Sequence, residues 1–158
     1  MKKPVVLTLL LALSLVQARR PSPEPTRFVA TSPCDGLPRT MLGIPAATDC
    51  EMIRWELALH RDPRHQQPTF YQLQYTYGLS QPSTTGFTST QAKGQKEGKW
   101  VTQKDAKNRE IYRLAESTPT EARLAFVKLN DQLLHLLDPQ GKLMIGHGGW
   151  SYTLNRKK

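Results

Sequence analysis

Two stretches of strict alternation constrain this chain more than any other feature. Ile53, Trp55, Leu57 and Leu59 alternate with Arg54, Glu56, Ala58 and His60. Tyr71, Leu73, Tyr75, Tyr77 and Leu79 alternate with Gln72, Gln74, Thr76 and Gly78. Successive side chains of a strand point to opposite faces, so a period of two sends each apolar set to one face of a sheet. Asp62-Pro63 and Pro68 supply the turn between them. A half-buried antiparallel sheet is therefore the starting point.

The same reading extends along the chain. Residues 80–98 are rich in Ser, Thr, Gln, Gly and Lys, and read as a long loop with a possible strand over Gly86–Thr90; Gly94 and Gly98 read as turns. Lys99–Thr102 and Glu110–Ala115 read as strands around an Asp105–Asn108 turn. Arg123–Leu129, Gln132–Leu137, Lys142–Ile145 and Trp150–Leu154 complete a meander, with Asp138-Pro139-Gln140-Gly141 as a type I turn. No run carries a helical period beyond the N-terminal apolar segment, although Glu51–His60 has fair helix propensity. About eight short strands in sequence predict an all-β fold, a small up-and-down, lipocalin-like barrel in preference to a sandwich, because closure removes both sheet edges.

The N-terminus reads as a targeting segment. Lys2 and Lys3 precede an uncharged apolar run from Val5 to Val16, and Val16-Gln17-Ala18 offers small residues for a signal peptidase. The run is too short for a membrane span, which needs roughly 20 residues. Cleavage after Ala18 takes 18 of the 158 residues and leaves 140, enough for one domain. The expected organisation is a signal peptide over 1–18, a Pro-rich linker over 19–32 and a single domain over 33–158. With no Cys at the cleavage point to be acylated, a periplasmic or secreted, monomeric protein without a transmembrane segment is expected.

Export governs the reading of the rest. The formal charge of +9 loses two charges with Lys2 and Lys3 and stays at +7. In an exported chain this bears on solubility or anionic envelope surfaces, and no nucleic-acid partner is expected. The two cysteines, Cys34 and Cys50, predict a disulfide; a redox pair or thiolate metal site would have closer spacing.

Side chains of possible chemical use are few. Tyr71, Tyr75 and Tyr77 share one strand face and would line any ligand cavity of the barrel. Cys50 and Met52 are the best metal candidates, as soft ligands two residues apart. Met41, Met52 and Met144 also read as core filler, His60 and His65 as surface residues on a hairpin, and His135 as a hydrogen-bonded wall residue. His147 lies among glycines without an assigned role. The chain has no nucleophile elbow, P-loop, dinucleotide fingerprint or zincin motif, so no catalytic residues and no cofactor are expected, and the protein is read as no enzyme.

Several stretches together resemble a known family. Pro45–Leu59, with Asp49-Cys50-Glu51 leading into the first alternating strand, is similar to the start of the NlpE N-terminal domain. Tyr112-Arg113-Leu114, Leu124-Ala125-Phe126 and the run from Leu133 to Gly141 follow in the family's order. The resemblance implies a lipocalin-like barrel of the bacterial envelope, linked to copper tolerance and stress sensing. The family's Cys-x-x-Cys is missing, with Ala46 and Ala47 before Cys50, and so is its acylated N-terminal Cys.

The expected function is that of a non-enzymatic envelope protein acting in an envelope or copper stress response through contacts with another protein. The alternative is a carrier of a small apolar ligand or metal inside the barrel. A carrier predicts an open, Tyr-lined interior, whereas a contact protein predicts a packed interior and an exposed apolar patch. Inhibition of a lysozyme-type enzyme would call for an acidic surface, against the +7 charge.

Overall fold

The computed structural model describes residues 24–115 and 124–158. The expected signal peptide, and the junction before the strand expected from Arg123, lie outside them. Eight antiparallel strands form a closed up-and-down barrel in sequence order. They are β1 (Thr26–Pro33), β2 (Met52–Arg61), β3 (Pro68–Gly78), β4 (Ala92–Lys104), β5 (Glu110–Ala115), β6 (Ala125–Asn130), β7 (Leu133–Leu136) and β8 (Thr153–Arg156), with one helix, α1 (Gly36–Leu42), between β1 and β2. The barrel closes where Phe28 pairs with Arg156 and Val29 with Asn155.

Register explains why the alternating strands are so regular. Trp55 lies opposite Ala30 and Tyr75, and Leu57 opposite Phe28 and Leu73, so the apolar sets of β1, β2 and β3 share the inner face. Eight strands enclose a space just wide enough for side chains to fill. Trp55, Leu57, Tyr71, Leu73, Trp100, Leu114, Phe126 and Leu134 fill it, each at most 1% exposed. The indole of Trp55 donates to Ser32 Oγ at 2.8 Å, which satisfies a polar group inside the core. A smaller cluster, Ile111, Ala125, Val127 and Leu137, lies on the other side of the same wall.

Five expectations change. The Gly- and Lys-rich stretch from residue 92 is strand, and Gly94 and Gly98 are strand positions instead of turns. They sit opposite Tyr75 and Tyr71. A Cβ on Gly94 would lie 2.3 Å from the Tyr75 ring, and one on Gly98 would lie 2.2 Å from the Ala115 carbonyl oxygen. Only glycine leaves room for the two tyrosine rings and the neighbouring strand, so residues that read as loop composition are a packing device.

The Gly86–Thr90 stretch, conversely, contributes only an isolated bridge between Ser80 and Phe87, and the Lys142–Ile145 stretch only one between Leu137 and Leu143. The helix has no counterpart in the expectations, since seven residues are too few to establish a period. Its C-cap, Gly43 at φ 70°, is the usual left-handed stop. Finally, β1 occupies Thr26–Pro33, so the domain begins within the stretch assigned to the linker.

Candidate functional site

The end of the barrel carrying α1 is closed by a plug. Pro38, Met41 and Leu42 are the buried residues of the helix, and Met41 and Leu42 belong to the main core. Three ties hold it. Cys34, just after β1, is disulfide-bonded to Cys50, just before β2, with Cα atoms 5.7 Å apart. The Tyr75 hydroxyl donates to the Leu42 carbonyl at 2.8 Å. The Tyr152 hydroxyl donates to the Asp35 carboxylate at the start of the helix. Burial, and then the adjoining Asp35 carboxylate, hold the Tyr152 phenol well above its ordinary pKa.

Above the plug, the segment after β7 folds across the same end. Met144 is buried against the main core, while Leu143 and Ile145 on either side face outward. With Leu37 of α1 they border a hollow of about 440 Å³ that also includes Asp35, Asp138 and Tyr152. Leu37 is 43%, Leu143 42% and Ile145 84% exposed. Three large apolar side chains are thus presented together at one end of the barrel, beside two carboxylates.

The residues singled out from sequence fall as follows. Tyr71 and Tyr75 are buried within the packed core, and Tyr77 packs partly buried at its edge with its ring stacked 6.0 Å from that of Tyr75. Cys50 is in the disulfide, so its sulfur offers no thiolate to a metal, and Met52 is a buried side chain of β2. Among the described residues no three His, Cys, Asp or Glu side chains gather as a metal site.

The ring of His60 stacks on Phe70 at 3.9 Å, while His65 is exposed on the turn after β2. His135 bonds Thr153 Oγ1 at 2.9 Å and the Met144 carbonyl at 2.8 Å, tying the crossing segment to the wall. A carbonyl only accepts, so Nε2 carries the proton in that bond. Among the described residues the exposed His147 holds its own loop, through a bridge to Trp150. The apolar hollow escaped sequence reasoning because Leu37 and Ile145 are far apart in the chain and belong to no alternating run.

Fold and plug together define a small, disulfide-bonded, all-antiparallel β-barrel. A disulfide fits an oxidising, extracytoplasmic compartment. Among the described residues no helix is long and apolar enough to cross a membrane. No family model matches the chain, and neither a curated protein nor a solved structure shows significant similarity to it.

Proposed function

We propose that the chain is an exported, non-enzymatic envelope protein that acts through contact with another envelope protein, in the manner of the NlpE-like stress proteins it resembles. The observation that carries this reading is the filled interior combined with an exposed apolar cluster at the plugged end. Ligand pockets for drug-sized molecules measure roughly 300–1,000 Å³ and are lined by side chains left available to the ligand. Here Tyr71 and Tyr75 are spent on packing, and α1 closes one end of the barrel. Leu37, Leu143 and Ile145 have the character of an interface core, apolar and rimmed by the charged Asp35 and Asp138.

The reading makes the protein periplasmic or secreted and gives Cys50, held in the disulfide, no direct role as a copper ligand. Photo-crosslinkers at Leu37 and Ile145, in cells exporting the intact chain, are expected to trap one envelope protein. Crosslinkers at Gln72 and Gln95, on the outer wall, are expected to trap none. Equal labelling from all four positions would overturn the reading, as would a protein that leaves the envelope carrying a stoichiometric apolar ligand.

A further inference from the structure

Among the described residues nothing plugs the opposite end of the barrel, and its inner positions change character toward the rim. Phe28, Leu59, Trp100 and Leu134 form an apolar floor, and the next inward positions of β2, β6 and β8 carry Arg61, Lys128 and Arg156. These residues surround a cavity of about 180 Å³, roughly six waters' share of liquid volume. We propose that this mouth binds a small organic carboxylate, its compact apolar body on the floor and its charge among the three cations. This inference goes beyond the partner contact at the plugged end and does not depend on it.

The geometry of the cations supports an anion. Arg61 lies with Cζ 4.6 Å from the centre of the Trp100 ring, a cation–π contact that fixes the guanidinium plane. The Trp100 indole is itself held by donation to the His60 carbonyl at 2.8 Å. One Arg61 nitrogen is spent on the Gln66 carbonyl at 2.8 Å, which leaves other N–H groups of the fork. Arg156 meets the charge of Asp131, and among the described residues its guanidinium donates no hydrogen bond. Two carboxylates oppose the cations. Lys128 Nζ is 2.7 Å from Asp131 and 3.7 Å from Glu110. The Asp131 side chain, on the turn after β6, is 79% exposed yet borders the cavity, so it competes with a bound anion for Lys128.

The floor sets the class of ligand. Beneath it the core is filled, so a long acyl chain has nowhere to go, whereas a benzoate-sized body matches the available volume. Inorganic phosphate would use the rim and leave the floor unused, and a neutral aromatic would leave the cations unused.

The experiment is a titration of the disulfide-intact protein with sodium benzoate, followed by backbone amide NMR shifts at low salt. Saturable shifts confined to the mouth are expected. Arg156→Gln is expected to weaken binding roughly tenfold, because a charge-assisted hydrogen bond is lost. Asp131→Asn is expected to tighten it roughly threefold by freeing Lys128 from an exposed ion pair. Both variants lie at exposed positions, and an unchanged amide spectrum away from the mouth confirms the fold. The proposal is overturned if shifts fail to saturate by about 10 mM, corresponding to negligible affinity. It also fails if either variant leaves the affinity unchanged, or if phosphate or benzyl alcohol binds as tightly as benzoate.

Discussion

The two ends of the barrel are finished by opposite means. At one, α1 and the Met144 segment continue the core outward, and a disulfide and two tyrosine hydroxyls tie the closure to the wall. At the other, the inward positions turn from apolar to cationic, and ion pairs and a ring stack hold the rim. Covalent and buried ties lose little to solvent, whereas exposed ion pairs are screened. One end is therefore built for persistence of shape and the other for exchange with a charged ligand, and perturbations of equal size should cost unequal amounts.

The largest expected effect breaks the plug. Replacing Cys34 and Cys50 together by Ser removes a cross-link spanning 16 residues of sequence. The loss expected is about 3 kcal/mol in urea unfolding. Next, Gly94→Ala drives a methyl group into the Tyr75 ring, whose hydroxyl is held on α1. Overpacking of this kind is expected to cost about 1–3 kcal/mol, and the same assay reads it. Tyr75→Phe keeps the ring and removes the hydroxyl's bond to Leu42, for an expected loss of about 1 kcal/mol. At the mouth, Arg61→Ala removes a cation–π contact and is expected to cost about 0.5–1 kcal/mol. If Arg61→Ala proved as damaging as the loss of the disulfide, the contrast between the ends would fail.

Much of the fold was legible in β2, β3 and β5 because their alternation is expressed in large apolar residues. The first half of β4, before the Lys99–Thr102 stretch that read as strand, was hidden because its inner positions include Gly94 and Gly98, whose purpose is to make room for Tyr75 and Tyr71 across the sheet. A pairing partner, not the strand itself, explains them. The plug left traces in Asp35 and Gly43, the residues flanking α1, but seven residues give propensity little to sum. The charged mouth was invisible for a different reason. Arg61 and Arg156 end β2 and β8, Lys128 lies within β6, and only closure of the barrel brings them together.

The smallest effect at ordinary pH is a difference in alkaline response. Burial raises the phenol pKa of Tyr152 at the plug and, with Glu110 adding to it, that of Tyr112 at the mouth. A raised folded-state pKa means that the native protein holds a proton the unfolded chain releases. Each contribution is intact below about pH 10 and declines as pH rises from the unfolded phenol pKa toward the folded value. Arg61 and Lys128 counteract the shift at Tyr112. Tyr152→Phe is therefore expected to flatten the alkaline limb of a stability–pH curve more than Tyr112→Phe does. The reverse order would place the more protected phenol at the mouth.

The seam of the barrel has a consequence for handling the protein. β1 and β8 meet over Phe28–Arg156 and Val29–Asn155, and the Lys157 amide donates to the Arg27 carbonyl at 2.9 Å. The first and last strands thus leave the domain side by side, both on the rim of the mouth. A support coupled through either flank holds the molecule mouth-down, obstructing benzoate while presenting Leu37 and Ile145 to the bulk. A circular permutant that joins the two flanks by a short linker and opens the connection between β3 and β4, at the end carrying α1, would keep the barrel and move the point of attachment away from the mouth.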